Sequence, residues 1–562
     1  MLLNSNVRER MAAARLNLDV LEIISEFLTD VPDVLSFALI SPSTRHAATR
    51  TLLRMGPIFL TGGESIRKFH SFLFADTPAR TPHVRALDID KGPPSRLLPA
   101  QPGDASLLIE ILTSCPNIDR VSIVIRDDDP SRLTCDLCII HAIAALQSLR
   151  SLRVDSPYAT RLIPLLREVC VPLRMLSLRG CTDVTDFWYP AALDDFLPHL
   201  GPTLEKLELD EFVVETEEIK ARGAILTPSV FTMTQYPAVR SLSVHSLTGQ
   251  PLLDHLQHLF PALDGTLSFG MAGFQSYGGQ YNYPAIRAAN QRAQESSRSH
   301  PWKKLDQLVC DPMMLHVLGL RCPIRHVLLD VGLVPTQPSG VLEALRENPV
   351  PRLKLTLRHD PSMFDGVFSP ELAGTLTHLT LRLMWGFQSG LSRFRDADAV
   401  RPPRWGDVLD ATVTSLQPLH KLTHLRVVIQ ANVGHYNPDR SLADDHEPTV
   451  ARAKEYVCSF RGSAFDFEAT AASLVRPLAS LQCIFLETHG CLANRDVSTE
   501  GFWKAYERWH VARAWRVGAP GPSEPTLVEL HDEVAETIIR KEELVLSEGD
   551  ESALQVYSEE RR

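Results

Sequence analysis

The tightest grouping of reactive side chains in the chain is Thr134-Cys135-Asp136-Leu137-Cys138, with His141 close behind. Cys-x-x-Cys supplies half of a tetrahedral zinc site, which needs a second pair or histidines at fixed offsets. None stands near by. A redox dithiol needs a thioredoxin-like frame, so the pair reads as small structural residues. Asp127-Asp128-Asp129 before Pro130 reads as a solvated loop rather than a cation chelate. Ser65 and Lys68, in "SIRK", have the spacing of some acyl-transfer enzymes, but the companion motifs are absent. "TGGES" from Thr61 lacks the Lys-Ser/Thr ending of a phosphate loop and reads as a turn. His255 and His258 flank helical leucines and read as helix surface, and no G-x-S-x-G occurs. These patterns predict no catalytic residue, no metal and no cofactor, so the chain is read as a non-enzyme.

The elements that carry these residues belong to a large folded chain. It has 562 residues, 44% apolar and 22% charged, which are ordinary globular values. The net charge of −11 argues against a general nucleic-acid binder. No run of 18 apolar residues suggests a membrane span. The N-terminal "MLLNSNVRERMAAARLN" lacks the uninterrupted apolar stretch of a secretory signal. Ten scattered cysteines suit a reducing compartment, cytoplasmic or nuclear.

The sharpest pattern is "LRMLSLRGCTDVTDF" from Leu173, in which Leu173, Leu176, Leu178 and Cys181 fit L-x-x-L-x-L-x-x-C. This is the leucine-rich-repeat signature, in which alternate residues of a short strand point inward and stacked strands share one core. Similar stretches begin at Val84, Ile118, Leu149, Leu204, Val239, Leu305, Ile324, Arg352, Leu376, Leu422 and Leu481, with a weak copy at Ala262. The spacing leaves room for a helix between strands, and "AALDDFLPHLGP" and "LLDHLQHLFP" read as two of them. The fold class expected is α/β: an N-terminal three-helix unit, then an irregular solenoid with a parallel sheet.

In domain terms, residues 1–14 form a tail and residues 15–55 the helical unit. Residues 56–500 form the solenoid, with loop insertions near 270–300, 386–415 and 431–475. Residues 501–562 form a helical cap, opened by the aromatic "GFWKAYERWHVARAW", and a solvated tail. Thr526 and Glu529 have capping-box spacing for a helix running to about Glu542.

In the N-terminal unit, Leu18, Leu21, Ile24, Phe27, Leu28 and Val31 follow helical spacing. A second apolar run ends at Ser41-Pro42-Ser43, and a third helix is expected from Thr44 to about Leu53. Three such short helices bury little surface and need a partner or neighbouring domain. The series Leu16, Asn17, Leu18, Asp19, Val20, Leu21, Ile24, Leu28, then Leu35, Leu39, Ile40, Ser41, resembles the F-box. Asn17 stands where that family has proline, and its aromatic after Ser41 is missing. The whole chain resembles fungal F-box/leucine-rich-repeat proteins. That resemblance implies a substrate-recruiting subunit of a Skp–cullin–F-box ubiquitin ligase. Leu16, Leu21, Ile24, Leu28 and Ile40 would bind the adaptor subunit, and the repeats would hold an unknown target protein. Two rival readings stand beside it: a repeat scaffold in which the helices only cap the array, and an enzyme hidden in an irregular α/β chain, which a deep pocket lined by converging titratable groups would favour.

One row across the repeats takes the residue after the second inward position. It is acidic through its middle and basic at Arg358 and Arg382, with Arg426 one row over. Exposed on a concave surface, these arginines would select a protein partner by charge.

Overall fold

The computed structural model describes residues 18–89, 103–124, 137–156, 163–179, 193–194, 197–213, 234–248, 250–270, 282–295, 301–329, 338–387, 402–433, 447–493, 506–518, 525–546 and 551. The chain forms two compact units, residues 1–249 with 258–262, and residues 250–257 with 263–562.

The first unit opens with α1 (Leu18–Phe27), α2 (Val31–Ala38) and α3 (Pro42–Met55). Ser41 starts α3 through a reciprocal capping box. Its hydroxyl accepts from the Thr44 N–H at 3.1 Å, and the Thr44 hydroxyl accepts from the Ser41 N–H at 2.8 Å. Pro42 is pre-set for the first turn, where its missing N–H costs nothing. Leu21 and Ser25 lie one turn apart on the same side of α1 and are both buried. The Ser25 hydroxyl meets that of Thr51 on α3 at 2.9 Å. Ala47, Ala48 and Leu53 are the buried apolar residues of α3.

Seven strands follow: β1 (Ile58–Leu60), β2 (Ala86–Ile89), β3 (Arg120–Val124), β4 (Ser151–Asp155), β5 (Met175–Arg179), β6 (Lys206–Val213) and β7 (Ser241–Thr248). They pair side by side in chain order, all parallel. The leucine pattern explains the register. Leu152 pairs with Leu176, and Leu176 with Leu207, so every repeat contributes to one buried row. β4 alternates buried Leu152 and Val154 with half-buried Ser151, Arg153 and Asp155. Helices α4 (Gly63–Phe74), α5 (Asp104–Ser114), α6 (Leu137–Ala144) and α7 (Ile163–Glu168) return the chain between strands, each packed on the next. Arg67 on α4 holds the buried carboxylate of Asp104 on α5 at 2.6 Å. That carboxylate leaves no room for a side chain at Gly63, where a Cβ would lie 2.0 Å from Asp104 Oδ2.

The second unit holds β8 (Thr266–Phe269), β9 (Leu305–Cys310), β10 (Ile324–Leu329), β11 (Arg352–Arg358), β12 (His378–Phe387), β13 (His424–Val433) and β14 (Cys483–Ala493), again parallel and in chain order. β15 (Tyr506–Val517) then pairs antiparallel with β14, and β16 (Leu527–Glu529) antiparallel with β15. The last helix is α8 (Asp532–Lys541). Among the described residues no helix is long and apolar enough to cross a membrane.

Several expectations change. "GFWKAYERWHVARAW" is no helix where it is described: Tyr506–Val517 is a strand, with Trp509 and Trp515 buried. Its aromatic and β-branched residues suit a pleated surface, and the open edge of β14 supplies eleven residues to pair with. Thr526 and Glu529 cap nothing, because the chain between them is β16 and the helix begins at Asp532. The stretches read as loop insertions also carry repeat helices, at Tyr283–Glu295, Trp405–Leu416, Glu447–Cys458 and Phe467–Val475. Residues 271–281, 388–401 and 434–446 of those insertions lie outside the described residues.

Candidate functional site

Two surfaces follow from this fold. The first is the outer side of α1 and α2. With Leu21 and Ser25 turned to α3, helical periodicity leaves Val20, Ile23, Ile24 and Phe27 on the other side of α1. On α2 only Val34 is fully buried, while Val31 and Leu35 are exposed, as are Leu39 and Ile40 beyond it. Phe27 and Leu39 are each 80% exposed and Ile40 71%. Eight of the twelve large hydrophobic side chains exposed among the described residues therefore fall between positions 20 and 40. So dense a cluster is unusual on a surface that stays in water. Ion pairs Glu22–Arg50 and Glu26–Arg54 clamp α1 to α3 beside it.

Of the predicted adaptor residues, Ile24 and Ile40 lie on this exposed cluster, and Leu28 is half-buried at the end of α1. Leu21 does not: it belongs to the core between α1 and α3. Leu16 lies outside the described residues. The sequence reading passed over Val20, Ile23, Phe27 and Leu39 as contacts. Mapping the 3.6-residue period onto a buried side and an open side would have separated them.

The second surface is the polar face of β10–β14, opposite the leucine rows. The arginines predicted to read a partner are not displayed there. Arg382 and Arg426 are buried, and Arg358 is half-buried. Arg382 donates to Gln430 Oε1 at 2.6 Å. Arg426 meets Glu487 of β14 through Nε at 2.7 Å and Nη2 at 3.3 Å, and Glu551 at 2.9 Å. It also donates to the Leu544 carbonyl at 2.7 Å. Burial pushes the Glu487 carboxyl up, but Arg426 and the His510 imidazole outweigh it and hold the group well below the usual carboxylate range.

The cause is the chain's own C-terminal segment. Ala535 of α8 and Leu544 pack with Cys483, Phe485 and Ala514, and Leu546 packs on Val428. The acids after α8 meet the cations of the sheet. Glu543 pairs with Arg325 and Arg352, and Glu542 with His378 and Arg352. The turn presenting them puts Glu543 in the left-handed region at φ 53°, a helix-ending position that favours glycine. Both faces of β11 are buried, where β4 buries only one; on the first unit's polar face Asp88, Ser122, Ser177 and Glu208 are buried as well. The polar face of the first unit stays more open, with Arg153, Asp155 and Arg179 half-buried and Lys206 and His245 exposed. Its charges are paired locally, Arg153 with Asp155 and both Arg179 and Lys206 with Glu208.

No protein-family model matches the chain, and no curated protein matches it. Among solved structures, a chain of the crystal structure of the Rad7 and Elc1 complex in yeast is similar over 75% of this chain and 90% of that one. The likeness has 13% sequence identity and a TM-score of 0.29. What the fold itself establishes is a mixed α/β chain whose strands add one repeat at a time, parallel until the last two.

Proposed function

We propose that this chain is a non-catalytic recruiting subunit of a Skp–cullin–F-box type ubiquitin ligase, acting in the cytoplasm or nucleus. The adaptor subunit docks on α1 and α2, and the repeats hold a target protein. The observation that carries this reading is the apolar cluster between Val20 and Ile40, left open on helices too short to need it for their own core. An adaptor completing that core explains why the sequence keeps the cluster. The target surface is the polar face of the first unit, because the second unit fills its own.

Binding of a recombinant Skp-type adaptor to the full chain, by pull-down and calorimetry, tests the reading. Phe27→Asp with Leu39→Asp removes two exposed anchors, each worth about 1–2 kcal/mol, and weakens binding by about a hundredfold. The thermal midpoint should stay within a few degrees, because neither side chain is buried. Leu21→Asp should instead unfold the helices. Failure of the wild-type chain to bind the adaptor would overturn this reading.

A further inference from the structure

His378 and His424 hold the same position in consecutive repeats, "LTHLTL" and "LTHLRV", and pair directly across β12 and β13. Sheet spacing stacks their rings, with centroids 4.7 Å apart and planes within 3°. Each Nδ1 lies against the hydroxyl of the preceding threonine, at 2.8 Å for Thr377 and 3.0 Å for Thr423. Each hydroxyl gives its one proton to a backbone carbonyl, Thr377 to Pro351 and Thr423 to Thr377, both at 3.0 Å. The hydroxyl oxygens can then accept from Nδ1–H, the tautomer that leaves Nε2 free to ligate.

Into this pair the C-terminal segment brings Glu542, with Oε2 3.2 Å from His378 Nε2. With the ring proton on Nδ1 the two atoms face each other as acceptors, an arrangement that a cation between them would satisfy. One ligand atom from each of the three residues lies within 4.8 Å of the others. Zinc bonds nitrogen and oxygen at about 2.0–2.2 Å, which separates neighbouring ligands by roughly 3.0–3.5 Å. The hydroxyl–imidazole contacts are the outer support that fixes ligating histidines. The charged groups around the trio are Arg352, 3.8 Å from Glu542, and Glu543, which Arg352 also binds.

We propose that His378, His424 and Glu542 bind one divalent transition-metal ion of the zinc class, which fastens the C-terminal segment to the sheet. Two imidazoles and one carboxylate suit such an ion and not magnesium or calcium, which take oxygen ligands. The ion would displace none of the Arg325–Glu543 contacts.

The full chain, stripped with a chelator and titrated with zinc chloride in excess magnesium, provides the test. One zinc per chain should bind, and zinc should slow tryptic cleavage at Arg540 and Lys541. Glu542→Gln and His424→Gln should each weaken zinc at least tenfold and abolish the protection, with circular dichroism unchanged. Thr423→Val should weaken it by about 10–100-fold through lost orientation. Cys458→Ser, at an exposed thiol away from the trio, should bind as wild type. Cobalt in place of zinc should show visible bands without intense thiolate charge transfer. Absence of stoichiometric zinc, unchanged affinity in both ligand variants, or strong thiolate charge transfer would each overturn the assignment.

Discussion

Arg426 shows how little a charged residue's letter says about where it ends up. It sits between inward Leu425 and Val427, where period-two reasoning points it at solvent, yet its side chain is 4% exposed and that of Glu487 5%. The partners that make this tolerable lie 61 and 125 residues away in sequence. Removing one partner strands the other charge, so Glu487→Ala should cost about 3–5 kcal/mol, measured by urea unfolding, and Arg426→Ala a similar amount. Replacing both with apolar residues of similar size should cost less than either single change. His326 and His359 give the residue scale a pH dependence. Burial drives the first to about 4 and the second to about 3, where His359 Nδ1 meets the Tyr456 hydroxyl at 2.8 Å. In the unfolded chain both titrate near 6.5. Below that value the unfolded state takes up protons that the folded state refuses. Stability is therefore full above about pH 6.5 and falls as the pH drops toward about 4. Thermal melts at pH 7.5 and pH 5 should show a lower midpoint at pH 5, and His359→Phe should shrink the difference. Equal midpoints would count against buried neutral histidines.

Elements were legible where a local period repeats. The strands at Leu176, Leu207, Leu353, Leu379 and Leu425 lie where the leucine pattern places them, and Ser41 marks the start of α3. What escaped was decided by a neighbour. Trp509 and Trp515 fit a helix or a strand equally well, and only the unpaired edge of β14 selects the strand. β1 has three residues and no leucine repeat before it, so nothing local announces it. The exposed cluster was half legible. The helices and their apolar residues followed from spacing, but their split into a buried and an open side required knowing that Ala47, Ala48 and Thr51 form the floor. Glu542 read only as the end of a helix, because ion pairs of Glu542 and Glu543 with Arg325 and Arg352 across about 200 residues leave no local trace. A chain ending at Gly518 should expose Phe485, Val428 and Arg426 together. It should bind a dye for apolar surface more strongly than the full chain and melt at lower temperature; unchanged dye binding would show that the segment covers nothing.

At the scale of the molecule, the two units solve the same problem differently. Each stacks parallel strands and shares a leucine core. The first leaves part of its polar sheet face exposed, at Lys206 and His245, whereas the second packs its last helix on β14 and β15 and lays the residues after it against Arg325, Arg352 and Arg426. Among the second unit's arginines, Arg325, Arg352 and Arg426 are tied to acids of the chain's own C-terminal segment. The reversal of direction at β15 carries its own consequence. Repeat proteins lengthen by duplicating a unit that pairs with copies of itself. Here the row of parallel strands ends at Cys483–Ala493, sealed by a reversed ribbon whose outermost strand offers only three residues, Leu527–Glu529. A new repeat can be spliced in only ahead of that seal, and a second molecule finds almost no edge on which to continue the stack.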